Sequence, residues 1–184
     1  IAKAAKQLGI PVIYYLPPQL WGWAPWRVKR VRKYVDHVLC GLPFEQEWFQ
    51  KRGVTSVEYV GHPFFDDVAD RPLDKRFIAG VSSGEHGHAP LVAILPGSRG
   101  SEVRQSFPIQ LQVMKRLQKC LPGVRFVVAN YKDSQRDTCK ELAKEAGGKL
   151  PIRYFVGRTS ELIEACDAGL ICSGSVSLEF LARA

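Results

Sequence analysis

Apolar residues fall along this chain in short dense runs set between amphipathic stretches, and the alternation is cleanest after residue 90. The runs at 91–95, 125–129, 152–156 and 168–172 read as buried strands, since each is brief and closed by turn residues. Helical spacing predicts helices over about 102–120, 134–146 and 160–166, with another from 176 onward. Strands and helices in regular succession, with apolar strands, predict a parallel doubly wound sheet and an α/β fold class. Upstream, the pattern predicts a helix over 2–8 ending at Gly9 and a strand over 12–16 closed by Pro17 and Pro18. A basic helix near 26–34, an apolar run over 35–42, a helix near 44–52 and a strand over 57–60 follow. Between the two parts, residues 61–90 are rich in Gly, Pro, Asp and His, a composition that marks a linker or long loop. Neither an internal repeat nor a low-complexity tract is visible.

The chain opens on Ile1 and stops within an unterminated helical pattern, so an internal piece of a longer chain is expected. Its 184 residues, 46% of them hydrophobic, suffice for a real core, and disorder is not expected. No run of about 18 apolar residues occurs and Lys3, Lys6 and Gln7 interrupt the first stretch, which excludes a spanning helix or secretory signal there. A soluble, intracellular protein is the expectation. The five cysteines are odd in number and lack C-x-x-C pairs, so reduced thiols are expected, without disulfides or zinc. A net charge of +8 favours an anionic partner: phosphate, nucleic acid or an anionic membrane. Basic residues concentrate in R-V-K-R-V-R-K at 27–33, next to Trp21, Trp23 and Trp26. That pattern fits a solvated helix face and an anion-facing patch equally.

Chemistry concentrates beyond the strand ends, where open parallel sheets bind their ligands. After 91–95 comes Pro96-Gly97-Ser98-Arg99-Gly100 and then a helix. The glycines let backbone amides approach a ligand closely, the helix start offers unpaired N–H groups, and Arg99 brings a permanent forked cation. Those features suit a diphosphate; a plain turn with Arg99 paired to Glu102 is the competing reading. A second loop, Ser173-Gly174-Ser175, opens the helix that bears Glu179. Its hydroxyls can cap the helix or bind phosphate, and Glu179 can accept from a ribose diol or serve as a surface glutamate. Two such loops in one sheet favour a nucleotide. Neither is a Walker A sequence or a G-x-G-x-x-G fingerprint, which weakens ATPase and dehydrogenase readings. Asp66-Asp67 lacks the D-x-D form of a metal–diphosphate clamp, and His37, His62, His86 and His88 show no ligand spacing with Cys, so no metal is assigned; His86 and His88 are expected to face solvent.

Taken together, Y-Y-L-P-P-Q-L-W-G-W at 14–23, R-V-K-R-V at 27–31, L-P-F-E at 42–45, V-G-H-P at 60–63, L-P-G-S-R-G-S-E-V at 95–103 and S-G-S-V-S-L-E at 173–179 resemble the lipid-A-disaccharide synthase family in order and spacing. The resemblance covers nearly the whole chain. It implies a GT-B fold of two Rossmann-like domains: residues 1–62 as the end of the acceptor-side domain, 63–90 as the inter-domain linker, and 91–184 as part of the UDP-sugar-binding domain. The implied activity is inverting transfer of 2,3-diacylglucosamine from UDP-2,3-diacylglucosamine to 2,3-diacylglucosamine 1-phosphate, releasing UDP, with no cofactor. Carried over by motif, Gly97, Ser98 and Arg99 would contact the diphosphate, Arg99 would offset charge on departing UDP, and Ser173, Gly174, Ser175 and Glu179 would hold phosphate and ribose. Glu102 would either orient Arg99 or approach the acceptor.

The family's catalytic base belongs to a stretch upstream of Ile1, so residues 1–184 alone are expected to be inactive. The family's usual S-P-Q-V-W-A-W-R is here Pro17 to Ala24, without its serine and arginine, which leaves Arg27 or Arg30 to supply that charge; S-G-S-V-S replaces the usual S-G-T-A-A. The Trp-rich basic segment would contact an anionic membrane on the cytoplasmic face of the inner membrane, or else its tryptophans belong to the core. Another UDP-sugar GT-B enzyme and a basic nucleic-acid-binding module are the alternatives; the first lacks a place for W-G-W and L-P-F-E, and no recognised motif supports the second, so no nucleic-acid partner is expected.

Overall fold

A computed structural model describes residues 1–83, 89–147 and 149–183, and the chain divides into two compact units, 1–67 and 68–184. The expected positions of His86 and His88 lie outside the described residues.

In the first unit, α1 (Ala2–Gln7), β1 (Ile13–Tyr15), α2 (Leu20–Trp23), a 3-10 turn (Pro25–Arg27), α3 (Val28–Tyr34), β2 (His37–Cys40), α4 (Pro43–Gln50) and β3 (Val57–Tyr59) follow in order. The three strands form a parallel sheet in the order β1-β2-β3. Leu20, Ala24, Val28 and Val31 pack with Val38, Cys40 and Phe49 into its core. Val28 and Val31 are three residues apart and share the inner face of α3, so Lys29, Arg30, Arg32 and Lys33 are left on its exposed face. The apolar run expected over 35–42 contributes a strand only over His37–Cys40.

Two helices occupy much of the stretch expected to be linker: α5 (Pro63–Asp70) and α6 (Lys75–Ser82). The residues that read as loop punctuation are helix starts. Pro63 sits at the first position of α5, where a missing N–H costs nothing, and the Asp74 carboxylate caps α6 by accepting the Phe77 N–H at 3.0 Å. Val81 is 2% exposed and packs α6 onto the second sheet.

The second unit then alternates as its pattern predicts: β4 (Leu91–Leu95), α7 (Gly100–Cys120), β5 (Arg125–Asn130), α8 (Asp133–Ala146), β6 (Ile152–Val156), α9 (Thr159–Ala165), β7 (Ala168–Ile171) and α10 (Ser175–Arg183). Its strands are all parallel, in the order β6-β5-β4-β7. Every residue of β4 is buried because both faces of the strand are covered. Val92 and Ile94 join Val103, Phe107, Leu111 and Met114 of α7 on one face; Leu91, Ala93 and Leu95 join Val81, Leu162 and Ile163 on the other. Gly169 on β7 admits the Phe180 ring of α10, which occupies the space a Cβ there would need. The architecture is thus α/β with parallel sheets.

The strand order locates the ligand side. From β4 the chain steps outward through β5 and β6, then returns to pair β7 with the opposite edge of β4. The order therefore reverses between β4 and β7, and crevices form at such a reversal, beyond the carboxyl ends of the strands.

Candidate functional site

The loops leaving β4 and β7 are the two singled out by sequence. Leu95 pairs with Ile171, and the Cys172 N–H donates to the Leu95 carbonyl at 2.9 Å, so both loops depart from one edge of the sheet. Ser98, Arg99, Ser173, Gly174 and Ser175 are all exposed there.

In the first loop the backbone turns at Gly97, whose φ of +118° lies in territory L side chains rarely adopt. A Cβ on Gly97 would lie 2.6 Å from Glu102 Cβ, so glycine is also required by the closeness of that side chain. Glu102 Oε2 accepts the N–H groups of Ser98 at 2.9 Å and Arg99 at 3.1 Å, while Oε1 meets Arg99 Nη1 at 2.8 Å. The Arg99 amide above all, with the Ser98 amide and the guanidinium, holds this carboxyl below its ordinary range, against a smaller desolvation effect. The pairing of Arg99 with Glu102 is therefore real, yet the Arg99 side chain stays 79% exposed. The paired guanidinium remains open to an anion, at the start of a 21-residue helix.

Two buried glutamines that sequence reasoning passed over fasten this loop from behind. Gln135, 3% exposed near the start of α8, donates from Nε2 to the Ser98 carbonyl at 2.5 Å and accepts the Tyr131 N–H at Oε1 at 3.1 Å. Gln110, 8% exposed on the inner face of α7, donates from Nε2 to the carbonyls of Leu95 at 3.2 Å and Leu170 at 3.1 Å, tying together the ends of β4 and β7. The signal for Gln110 was a polar residue at helical spacing among Phe107, Leu111 and Met114.

Glu179 does not join the exposed loops. Its side chain, 7% exposed, takes Arg71 Nη1 at 3.3 Å and Arg183 Nε at 3.4 Å on the same oxygen, Oε1. Arg71 also donates to Ser160 Oγ at 2.9 Å, and Arg183 to the Val68 carbonyl at 3.1 Å.

In the first unit, Glu45 of L-P-F-E is 3% exposed, accepting Trp21 Nε1–H at 2.9 Å and the Leu42 N–H at 3.1 Å. Trp21 stacks edge-on against Phe44, whereas Trp23 and Trp26 are 54% and 65% exposed, with Arg27 lying 4.8 Å from the Trp23 ring centroid. The tryptophans therefore split between core and surface. Arg27, Arg30 and Lys3 line a cleft of about 470 Å³ with Tyr14, Leu20 and Val31. His62 of V-G-H-P accepts the Phe64 N–H at 3.2 Å, and His37 Nδ1 lies 2.6 Å from Ser56 Oγ. Among the described residues no three His, Cys, Asp or Glu side chains gather as metal ligands, and no helix is long and apolar enough to cross a membrane.

Comparison with known proteins identifies the family and the fold type. A family model described as lipid-A-disaccharide synthetase matches residues 1–183. The lipid-A-disaccharide synthase of Trichlorobacter lovleyi is 38% identical over 179 residues, covering 97% of this chain and 45% of its own length. That of Pseudomonas putida is 37% identical, covering 96% and 45%. The chain thus spans a little under half the length of the curated relatives it matches. Among solved structures, Staphylococcus aureus MnaA with UDP aligns with a TM-score of 0.65 at 12% identity, over 99% of this chain and 51% of that one. Anabaena HepE in complex with UDP aligns with a TM-score of 0.58 at 14% identity, over 99% and 54%. Likeness at that identity carries the fold, which is of GT-B type.

Proposed function

The chain belongs to the lipid-A-disaccharide synthase family, and from that premise we propose that the protein containing it transfers 2,3-diacylglucosamine with inversion from UDP-2,3-diacylglucosamine to 2,3-diacylglucosamine 1-phosphate, releasing UDP. The observation that carries this reading is the exposed Arg99 guanidinium on the β4–α7 loop, at the point where the strand order reverses.

In this reading the donor diphosphate lies over Gly97, Ser98 and Arg99 and the first amides of α7. Glu102 engages the amides of Ser98 and Arg99, so the amides of Gly100 and Ser101 face the phosphate. The acceptor hydroxyl attacks the anomeric carbon, a base from outside residues 1–184 takes its proton, and the bond to UDP breaks with its electron pair leaving on the diphosphate. Arg99 stabilises that growing charge, and Glu102 orients it. Ser173, Gly174 and Ser175 bound the other side of the crevice. Glu179 serves the ribose diol through Oε2, since both arginines bind Oε1. Residues 91–184 form the donor side, 1–62 the acceptor side, and 63–90 the crossing between them.

The test is calorimetry with UDP on the full-length protein at fixed salt. Arg99→Ala weakens binding by about 1–3 kcal/mol, the range for a lost charged hydrogen bond. A folded wild-type protein that binds no UDP removes the reading.

Both substrates carry acyl chains, and the exposed Trp23 and Trp26 beside Arg27, Lys29, Arg30 and Arg32 suit a peripheral contact with the anionic cytoplasmic face of the inner membrane. Neutralising those four cations lowers co-sedimentation with anionic liposomes, at about 1 kcal/mol per residue. Unchanged sedimentation removes the membrane contact and leaves the donor site standing.

A further inference from the structure

Gln135 makes a junction that needs a donor and an acceptor on one side chain. Its carboxamide is buried, and its two ends face groups of opposite kind: the Ser98 carbonyl, which requires a donor, and the Tyr131 N–H, which requires an acceptor. Those groups belong to the loops after β4 and β5, neighbouring strands in parallel register. A glutamate at 135 could still accept from Tyr131 but, ionised, would set a charge against a carbonyl oxygen. A methionine could fill the space and do neither.

The Ser98 carbonyl is one bond from the peptide N–H of Arg99, so fixing it fixes the plane from which the Arg99 side chain departs. Glu102 grips that peptide from the side of α7, and Gln135 grips it from the side of α8. The exposed guanidinium thus stands on a peptide held from two helices.

We propose that Gln135 is a positioning residue for the donor site, holding the Ser98–Arg99 peptide so that the guanidinium and the first amides of α7 converge on the donor diphosphate. The assignment rests on the donor reading of this loop. It concerns preorganisation: without the clamp the same groups are present but the donor must order them, and ordering costs affinity.

Gln135→Glu and Gln135→Met in the full-length protein, with UDP as the probe, test it by calorimetry near pH 8 and again near pH 5. Both variants bind UDP about tenfold more weakly near pH 8, and the KM for the UDP-sugar rises more than kcat falls. The two part company in acid. A carboxyl buried against a carbonyl titrates above the ordinary glutamate range, and once neutral its O–H donates to Ser98. Gln135→Glu therefore regains affinity, relative to wild type, as pH falls, while Gln135→Met stays weak. UDP affinity equal to wild type in both folded variants overturns the assignment, as does a fall in unfolding midpoint with affinity untouched, or loss of folding in both. The donor reading is judged separately: if wild type binds no UDP, that reading has failed, whereas wild-type binding with indifferent variants sinks the Gln135 role alone.

Discussion

The loops after β4 and β7 leave the same sheet edge, each opens a helix, and each helix carries a glutamate in its first turns, yet the two carboxylates end in opposite surroundings. Glu102, with a side chain 27% exposed, turns back on its own loop and binds two backbone amides and a neighbouring guanidinium. Glu179, 7% exposed, turns away from its loop and binds Arg71, 108 residues away, and Arg183, one turn on in its own helix. Spacing explains the divergence. Glu102 is the third residue of α7, the position from which a side chain reaches the amides ahead of the helix. Glu179 is the fifth residue of α10 and lies beyond that reach, so it meets whatever packs on the helix flank. Equivalent sequence logic, a glycine loop followed by a glutamate, thus yields one carboxylate that holds its own loop and one that two arginines anchor through Oε1.

The largest expected effect tests that division. Glu179→Ala leaves Arg183, 9% exposed at its side chain, with only the half-exposed Glu164 as counter-charge at 3.4 Å, and loosening a buried pair in this way costs about 3 kcal/mol of stability, the low end for such pairs. Denaturant unfolding of the full-length protein measures it as a lowered midpoint at unchanged slope. An unchanged midpoint would make the arginine contacts incidental, and lost UDP binding beside it would leave Glu179 a ligand group alone.

How much of this was legible follows from the same distinction between near and far partners. The strands of the second unit could be read because LVAIL, FVVA and YFV are dense apolar runs closed by Pro, Asn or Gly, and the loops after them because Gly97, Gly100 and Gly174 sit next to a cation or hydroxyls. Helices α5 and α6 were missed because Pro63 and Asp74 signal turns and helix starts alike, and only the packing of Val81 against the sheet decides between them. The α2 segment was missed because Gly22 and Pro25 interrupt its pattern. The roles of Gln110 and Gln135 were hidden for a different reason: a polar residue shows its purpose only through its partners, and Leu170 and Ser98 lie far from them in sequence, although the place of Gln110 on an apolar helix face was visible. The Arg71 partner of Glu179 was likewise hidden, because it is 108 residues away.

The smaller effect concerns the exposed carboxylate. Glu102→Ala frees the Ser98 and Arg99 amides and releases the guanidinium, and in the preorganised reading UDP binding falls by about tenfold while the unfolding midpoint moves little, because the pair is surface-exposed. The rival outcome is informative: tighter UDP binding would mean that Glu102 occupies, in the empty site, the donors that the diphosphate needs. A pH series separates these further. Because the folded-state pKa of Glu102 is lowered from 4.5, its ionised form contributes loop stability fully above that value, and the contribution is lost as pH falls below 4.5 towards the folded pKa. Wild-type UDP affinity, relative to Glu102→Ala, should therefore hold steady from neutral pH down to that point and then converge on the variant as the carboxyl protonates. Convergence from above assigns Glu102 the orienting role; convergence from below, with wild type gaining affinity in acid, makes it a competitor of the phosphate.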